Sequence, residues 1–367
     1  MTREEKFMKE ALRLAKKGSG SVEPNPLVGA VLVRQGKIVA KGWHRHFGGS
    51  HAEVDAIESC NTPKGTTMYV TLEPCAHHGK TPPCTDAIIK AGIRRVVAAS
   101  KDPSPHNRGK GFRKLREAGI EVEVGILEKE ALELNAPFFK LTTTGLPYIT
   151  VKWAMSLDGK IAAASGDSAW ISSEKSRILV HRLRSKMDAV VVGVNTVLRD
   201  DPLLTVRHVR SKRTPVRIVL DHEAHTPANS ALAQTASSVD TLIVSSAGAS
   251  TKRVDALEKA GCVVLRVNTR DKKYIDLRNF MEFLGRRHFT NVLIEGGGEV
   301  IASALEDRLV DRIFAFVAPK IVGGRKAVSP VEGVGVPTVG EAIRMKEMKV
   351  RHIGGDMLIQ GLVEYPD

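Results

Sequence analysis

The apolar and polar positions in the first part of the chain alternate between helical and strand patterns. Apolar residues follow helical spacing in the opening segment, where Thr2 and Glu5 have the spacing of a capping box and Gly18 is a stop signal. Two apolar runs on either side of Gln35-Gly36 predict a hairpin over 28–33 and 37–42. The next predicted elements are a helix beginning near residue 51, a strand at 67–72, a helix at 84–91 and a strand at 95–99. This alternation is typical of an α/β fold.

The run Leu-Thr-Thr-Thr-Gly-Leu-Pro at 141–147 interrupts the pattern and predicts a linker. We therefore expect two domains, residues 1–146 and 147–367, and each is long enough to form its own core. Beyond the linker, predicted strands alternate with helical stretches such as 174–186. These strands are predicted at 148–154, 189–193, 217–220, 241–245, 262–267 and 291–295. Their spacing predicts a mostly parallel sheet covered by helices.

Composition limits the class of protein. Apolar residues make up 42% of the chain and charged residues 26%, as in ordinary globular proteins. No segment has the length and apolarity of a membrane span, and the N-terminal residues lack the apolar core of a signal peptide, so a cytoplasmic location is expected. The four cysteines are too few for a disulfide framework, and their thiols are expected to be reduced.

The net charge of +14 favours anionic partners, among which phosphorylated metabolites, a phosphate-rich cofactor and nucleic acid all fit. Because the Lys and Arg residues are spread along the chain, a solvated basic surface explains the charge equally well.

A group of residues with metal-binding chemistry follows the first predicted strands. His51, Cys75 and Cys84 offer one imidazole and two thiolates, which can bind zinc and leave a fourth position open for catalysis. Glu53 can then carry a proton from the attacking water to a leaving amine. Pro74 follows a predicted strand and suits a first helical turn, so Cys75 is expected near a helix N-terminus, where its thiolate is favoured.

The spacing of the two cysteines leaves an alternative open. Eight residues separate Cys75 from Cys84, whereas zinc deaminases of nucleobases have a Cys-x-x-Cys spacing. A closed structural site with a fourth histidine ligand is the main competitor, although such a site does not require Glu53. The candidate fourth ligands are His46, His77 and His78, while Cys60 and Cys262 are expected to be ordinary thiols.

The second half carries weaker signals. Glu295-Gly296-Gly297-Gly298 ends a predicted strand and opens a helix, where the backbone N–H groups of 297–299 could meet a phosphate. This run is not a Gly-x-Gly-x-x-Gly fingerprint, so the standard dinucleotide-binding fold is not predicted. Polar residues follow the strand at 189–193, in the crevice position where α/β sheets bind ligands, although a solvated loop has the same composition. These residues are Thr196, Arg199, Asp200, Asp201 and Arg207.

Longer segments of the chain resemble a known family. Pro-Asn-Pro-Leu-Val-Gly at 24–29, Gly-Gly-Ser-His-Ala-Glu at 48–53 and the run 73–84 are similar to the deaminase of riboflavin biosynthesis, including the long gap between its cysteines. Segments 151–162, 193–207 and 295–298 are similar to the pyrimidine reductase of the same pathway. The resemblance covers nearly the whole chain, in the order of the bifunctional deaminase-reductase family.

The resemblance implies a fold, two reactions and two cofactors. The N-terminal domain is expected to be a cytidine-deaminase-like three-layer domain, and the C-terminal domain to be dihydrofolate-reductase-like. The first reaction is zinc-dependent hydrolytic deamination of 2,5-diamino-6-(5-phosphoribosylamino)pyrimidin-4-one to 5-amino-6-(5-phosphoribosylamino)uracil. The second is NADPH-dependent reduction of the ribosyl group to ribityl. Family habit also implies a homo-oligomer.

The resemblance also assigns residues to these roles. His51, Cys75 and Cys84 are the implied zinc ligands and Glu53 the catalytic proton carrier. The implied substrate contacts are Asn25, His44, His77 and Lys80 for the deaminase and Lys152, Ser168, Arg184, Leu204, Arg207 and Glu295 for the reductase. The implied NADPH contacts are Ala154, Trp170, Thr196, Asp200, Gly297, Gly298, Glu299, Val300, Ile301, Ala302 and Ser303. One position departs from the family, because His222 stands where a small hydroxyl residue is common.

Two alternative functions remain at this level. The reductase half could be an inactive scaffold for the deaminase. The chain could also be a nucleic-acid base deaminase of the tRNA type, which would bind RNA with steep salt dependence. Aromatic residues make up only 5% of the chain, with no strip of interleaved basic and aromatic residues, so no nucleic-acid partner is expected.

Overall fold

The computed structural model describes residues 1–78, 82–267, 269–270 and 274–366. The chain divides into two compact units, Met1–Gly145 and Leu146–Asp367. In the described ranges, every helix is too short or too polar to cross a lipid bilayer.

The first unit is built on one mixed sheet. Its helices are α1 Arg3–Ala15, α2 Ala52–Glu58, α3 Cys84–Lys90, α4 Lys110–Glu117, α5 Glu128–Leu134 and α6 Ala136–Thr144. Its strands are β1 Gly29–Arg34, β2 Lys37–Trp43, β3 Thr67–Val70, β4 Arg95–Ala98 and β5 Glu121–Val124. The strand order is β2-β1-β3-β4-β5, in which β1 is antiparallel to β2 and β3 and the last three strands are parallel.

The alternation of side chains along β1 explains the layers of this unit. Ala30 and Leu32 belong to a core shared with α2, α3 and α4, while Val31 and Val33 belong to a separate core shared with α1 and α5. Helices therefore cover both faces, which confirms the predicted three-layer α/β arrangement. The predicted capping box is also confirmed, because the Glu5 backbone N–H donates to Thr2 Oγ1 and the Thr2 N–H donates to Glu5 Oε2.

The predicted linker over 141–147 is wrong for its first four residues, which lie in α6. Thr143 and Thr144 satisfy their hydroxyls within the helix by donating to the carbonyl oxygens of Phe139 and Lys140. The helix ends at Gly145, which has a left-handed φ of 73°. Local hydrogen bonding thus allows a threonine-rich run to stay helical up to the glycine.

The second unit has a larger sheet. Its helices are α7 Glu174–Arg184, α8 Val194–Asp200, α9 Ala231–Gln234, α10 Thr251–Lys259, α11 Leu277–Arg286 and α12 Gly298–Glu306. Its strands are β6 Tyr148–Ser156, β7 Ala189–Gly193, β8 Val216–Leu220, β9 Thr241–Ser246, β10 Val263–Val267, β11 Thr269–Arg270, β12 Tyr274–Ile275, β13 Asn291–Gly296, β14 Val310–Ala318, β15 Arg344–Ile353 and β16 Asp356–Glu364.

The order of the main sheet is β10-β9-β8-β7-β13-β6-β14-β16-β15. Neighbouring strands are parallel from β10 to β14, and β16 runs antiparallel to both β14 and β15. The central register pairs Val151 of β6 with Ile294 and Ile313. The mostly parallel sheet predicted from the strand spacing is confirmed, and the carboxyl ends of its parallel strands meet at one edge.

Arg217 of β8 is fully buried and ties together the loops at one end of this sheet. Its guanidinium donates to the carbonyl oxygens of Leu203, Leu232 and Val239 and to the hydroxyls of Thr235 and Thr241. Replacement by a hydrocarbon would leave these buried acceptors without their donor.

We expect Arg217→Leu to lower the free energy of unfolding by about 3–5 kcal/mol, measured by urea denaturation. Arg266→Leu is the matched control, because Arg266 is exposed and donates to a single carbonyl oxygen, that of Ala247. This control should change stability by no more than about 0.5 kcal/mol. Equal losses in the two variants would contradict the role of Arg217.

Candidate active sites

His51, Cys75 and Cys84 come together at one end of the first sheet. His51 directly precedes α2, Cys75 lies in the loop after β3, and Cys84 is the first residue of α3. The His51 Nδ1 atom is 3.1 Å from the Cys84 Sγ and 3.5 Å from the Cys75 Sγ, and all three donor atoms lie within 4.8 Å of one another. One imidazole and two sulfur atoms at this separation form a donor set that fits zinc.

The expected position of Cys75 at a helix N-terminus is wrong, because Cys84 occupies that place. The reason is the eight-residue gap, which lets α3 begin only at the second cysteine. The Cys84 backbone N–H nevertheless donates to the Cys75 Sγ at 3.3 Å. Hydrogen bonds from the Cys84 thiol, from His51 and from this N–H lower the pKa of Cys75 to about 4.

Glu53 lies in the first turn of α2 and lines the same cavity as His51 and Cys75. Its side chain is buried, and this burial raises its pKa to about 7. It does not belong to the cluster of metal-binding donor atoms. Among the described residues, that cluster ends at three ligands and includes none of the candidate fourth ligands His46, His77 and His78. The geometry therefore favours the open, catalytic type of site over the closed structural one.

The cavity beside the cluster has a volume of about 380 Å³ and is lined by the predicted contacts Asn25, His44 and His77. The His44 Nδ1 lies 3.0 Å from the Ser50 carbonyl oxygen, which can only accept, so Nδ1 carries the proton. Nε2 then accepts from the Asn25 Nδ2 at 3.2 Å, which leaves the Asn25 Oδ1 as an acceptor for a ligand. Burial lowers the pKa of His44, so the ring is neutral. The predicted contact Lys80 lies outside the described residues.

A buried network that the sequence did not reveal positions the Cys75 loop. The Glu73 carboxylate accepts backbone N–H groups from Asp102, Gly109, Gly111 and Phe112. A Cβ at Gly111 would lie 2.0 Å from the Pro74 carbonyl oxygen, so this close approach requires glycine. These residues come from a loop and helix far along the chain, and no spacing rule links them to Cys75.

Asn107, fully buried, holds this loop on both sides of Cys75. Its Oδ1 accepts the Ala76 N–H at 2.9 Å, while its Nδ2 donates to the Asp102 carboxylate at 3.1 Å and contacts the Pro74 carbonyl oxygen at 3.5 Å. An Asn107→Ala variant should lose this support and bind zinc about 10–100-fold more weakly. Competition with a chelator of known affinity measures the change. The exposed Asn61→Ala is the matched control, and an unchanged affinity in Asn107→Ala would refute the positioning role.

The second unit brings three predicted charges together in one cavity. Arg184, at the end of α7, forms a two-pronged ion pair with Glu295 of β13, through Nε to Oε1 and through Nη2 to Oε2 at 2.8 Å. The Lys152 Nζ of β6 is 3.8 Å from the same carboxylate. Burial would raise the pKa of Glu295, but the two cations outweigh it and lower that pKa. Burial lowers the pKa of Lys152. The remaining predicted substrate contacts Ser168, Leu204 and Arg207 line this cavity too.

An adjoining cavity of about 480 Å³ lies at the carboxyl ends of β7, β8 and β13. The expected NADPH contacts Thr196, Asp200, Gly297 and Gly298 line both cavities, as does Ser168. Glu299, Val300 and Ser303 line this adjoining cavity. Ala154, Trp170 and Ile301 line the cavity that contains Arg184 and Glu295. Ala302 is buried and lines neither cavity.

Gly297 and Gly298, at the start of α12, line both cavities of this unit and pack closely against their neighbours. Gly297 has a φ of 83°, which favours glycine, and a Cβ at Gly298 would lie 2.6 Å from the Glu332 side chain. The predicted strand end and helix start around 295–298 are confirmed by β13 and α12. Backbone N–H groups at such a helix start suit a phosphate, so this cavity fits a dinucleotide.

His181 lines the cavity that contains Lys152, Arg184 and Glu295, which we call the substrate cavity. It is not among the substrate contacts predicted from the sequence. Its Nδ1 accepts the Arg207 backbone N–H at 3.2 Å. Burial, with the nearby charges of Arg184 and Arg207, lowers its pKa to about 4. The ring is therefore neutral at neutral pH. The available sequence signal was its position three residues before Arg184, on the same face of α7.

Two family models match the chain. Residues 1–100 match the cytidine and deoxycytidylate deaminase zinc-binding region, and residues 147–359 match the RibD C-terminal domain. The riboflavin biosynthesis protein RibD of Aquifex aeolicus is 45% identical over 354 residues, which span 96% of this chain and 96% of that protein. The chain belongs to the RibD family.

Other members of the RibD family agree along the whole length. The RibD of Escherichia coli is 37% identical and covers 97% of this chain, which in turn spans 98% of that protein. The solved structure of Acinetobacter baumannii RibD superposes with a TM-score of 0.87 at 33% identity, covering 99% of both chains. A Thermotoga maritima structure, described as a diaminohydroxyphosphoribosylaminopyrimidine deaminase and 5-amino-6-(5-phosphoribosylamino)uracil reductase, has a TM-score of 0.85 at 36% identity and covers 99% of both chains.

RibD proteins are bifunctional deaminase-reductases of riboflavin biosynthesis, and this chain is such an enzyme. Its deaminase uses zinc and its reductase uses NADPH, as the resemblance implied. The predicted pairing of a cytidine-deaminase-like domain with a RibD reductase domain is confirmed. The enzyme acts on small molecules.

Proposed function

We propose that residues 1–146 deaminate 2,5-diamino-6-(5-phosphoribosylamino)pyrimidin-4-one and that residues 147–367 reduce the product with NADPH. The observation that carries the proposal is the three-ligand cluster of His51, Cys75 and Cys84 opening onto the cavity that contains Glu53. The substrate named for the Thermotoga maritima relative supports the choice of pyrimidine.

In the deaminase, His51, Cys75 and Cys84 would hold zinc, which when bound activates water for attack on the ring carbon. Glu53 takes a proton from that water and delivers it to the departing amine, so that ammonia leaves. The neutral His44 orients Asn25 so that the Asn25 Oδ1 accepts from the pyrimidine edge. His77 and Lys80 complete the contacts to the rest of the substrate. Lys80 is the proposed contact to the phosphate, because a lysine ammonium suits that group.

In the reductase, this unit would bind and orient both the substrate and NADPH, which when bound would supply the hydride to C1′ of the ribosyl group, while the C1′–O4′ bond breaks and O4′ takes a proton from water. The buried Arg184–Glu295 pair and Lys152 form the polar wall of the substrate cavity. Ser168, Leu204 and Arg207 contact the same substrate, while the remaining predicted contacts hold the cofactor. These cofactor contacts are Ala154, Trp170, Thr196, Asp200 and the segment 297–303.

We further propose that the enzyme works in the cytoplasm, as a homo-oligomer and without a nucleic-acid partner. All four cysteines are free, which fits a reducing compartment, and the low aromatic content offers little for stacking on bases. Val334 and Val339 are 97% and 93% exposed, which fits burial against another copy. Light scattering of the purified protein tests the oligomer, and RNA titration at two salt concentrations tests for nucleic-acid binding.

Mass spectrometry of the diaminopyrimidine ribosyl phosphate, incubated with zinc-loaded protein with and without NADPH, tests the two reactions. Loss of ammonia in both samples, with reduction only when NADPH is present, is the expected result. Deamination without reduction would instead favour an inactive reductase-like unit. An unchanged substrate would contradict both assignments.

A further inference from the structure

One face of the helix α6 belongs to the cavity of about 380 Å³ beside the zinc ligands, which we call the deaminase cavity. Phe138 and Thr142 of this helix line the cavity, and their spacing of four residues places them on one helix face. Asn135, three residues before Phe138, continues the same face, because its carbonyl oxygen already accepts the Phe139 N–H at 3.0 Å in helical register. The three residues therefore form one stripe along α6.

The first residue of this stripe holds a segment that carries a predicted substrate contact. Asn135 is only 2% exposed, and its side chain pairs with the backbone of Leu27 in both directions. The Asn135 Oδ1 accepts the Leu27 N–H at 2.7 Å, and its Nδ2 donates to the Leu27 carbonyl oxygen at 2.9 Å. Leu27 lies two residues after Asn25, which lines the deaminase cavity and donates to His44. The buried amide thus fixes the backbone beside Asn25.

The second residue of the stripe gives the deaminase cavity an aromatic surface. Phe138 is half-buried, and it lines the cavity together with Asn25 and Pro26. A flat heteroaromatic ring packs well against a phenyl ring, and such contacts strengthen binding because both surfaces leave water. A pyrimidine bound in the cavity would cover the part of the Phe138 ring that solvent reaches in the free protein.

This wall comes from a different part of the chain than the zinc chemistry. Residues 1–100 match the zinc-binding region, and they include His51, Glu53, Cys75 and Cys84. The helix α6 follows later, at Ala136–Thr144. A change in α6 should therefore alter how tightly the substrate binds, while zinc binding and proton transfer stay as they are.

We propose that α6 is a substrate-binding wall of the deaminase, in which Phe138 packs against the pyrimidine ring and Asn135 positions Asn25. The inference rests on the proposed deamination. Neither side chain takes part in making or breaking a bond, so each contributes equally to binding the substrate and the transition state. Losing such a contact raises KM and leaves kcat unchanged.

Phe138→Ala tests the wall in zinc-loaded, full-length protein. Ammonia release at varied concentrations of 2,5-diamino-6-(5-phosphoribosylamino)pyrimidin-4-one should show a KM about tenfold above the parent, with kcat within about twofold. Leu141→Ala is the matched control, because Leu141 is a half-buried apolar residue of α6 and is not among the described residues that line the cavity. An unchanged KM in Phe138→Ala, or an equal rise in Leu141→Ala, would overturn the proposal.

The positioning role of Asn135 is tested by a double substitution. Asn135→Ala alone should also raise KM about tenfold. If Asn135 acts through Asn25, the variant that combines Asn135→Ala with Asn25→Ala should have a KM no more than about twofold above that of Asn25→Ala. Fully additive effects would refute the positioning role. Should Asn135→Ala fail to fold, Phe138→Ala still decides the proposal, because that ring is only half-buried.

Two further measurements on the same preparations separate this proposal from the proposed function. Zinc content and the rate of reduction of supplied 5-amino-6-(5-phosphoribosylamino)uracil should equal those of the parent in every variant. A parent protein that releases no ammonia would show that the proposed deamination itself is wrong. A parent with normal deamination, together with a parental KM in Phe138→Ala, would refute only the role of α6.

Discussion

Glu53→Gln should reduce deamination by at least about 10³-fold while zinc stays bound. The amide has nearly the same shape as the carboxylate, so the buried place in the first turn of α2 remains filled. The amide, however, cannot accept a proton from water and pass it to the leaving amine. The three ligands His51, Cys75 and Cys84 are untouched, and reduction of supplied 5-amino-6-(5-phosphoribosylamino)uracil should proceed at the parental rate.

Ammonia release and metal analysis of the same preparation measure the effect of Glu53→Gln. Glu58→Gln is the matched control, because Glu58 is an exposed residue at the other end of the same helix. Normal turnover in that control, with zinc content equal in both variants, isolates the proton transfer. If Glu53→Gln still deaminates within tenfold of the parent, Glu53 is not the proton carrier.

Glu295→Gln should affect both the reductase reaction and the stability of the second unit. The carboxylate is the shared partner of Arg184 and Lys152, and all three side chains are largely buried. Removing its charge leaves two cations in a low-dielectric cavity without compensation. We expect a loss of about 3–5 kcal/mol in unfolding free energy and about 10²-fold in kcat/KM of reduction. Deamination should be unchanged.

A second substitution separates stability from binding. Glu295→Gln combined with Arg184→Gln removes one of the unpaired cations, so part of the lost stability should return, while the reductase rate should stay low. Urea denaturation and NADPH oxidation with supplied deaminated substrate measure the two quantities. Recovery of the rate together with the stability would mean that the charges only support the fold and do not contact substrate.

The sequence predicted the parts of this protein whose signal is local. The capping box of Thr2 and Glu5 and the hairpin around Gln35-Gly36 depend on residues a few positions apart, and both are present. Alternating patterns and short apolar runs predicted most strands of both sheets, because parallel strands that are buried on both faces consist of nearly continuous apolar residues. The predicted linker at 141–147 was wrong for the residues that lie in α6. Their threonine hydroxyls donate to carbonyl oxygens within the helix, and helix propensities do not take such hydrogen bonds into account.

The candidate zinc ligands and Glu53 could also be named from the sequence, because thiolates, an imidazole and a nearby carboxylate are chemically distinctive wherever the chain places them. Their surroundings could not. The position of Cys84 rather than Cys75 at the helix start, and the bracketing of Cys75 by Asn107, depend on how the loop after β3 meets a segment about thirty residues later.

The sequence by itself therefore determined the kind of chemistry, because residue type and short spacing can be read directly from the chain. The tertiary structure alone decided which charges share a buried cavity, as Lys152, Arg184 and Glu295 do. The physical reason is that burial and electrostatic interactions act over distances in space. Such distances are fixed only when distant strands pack side by side.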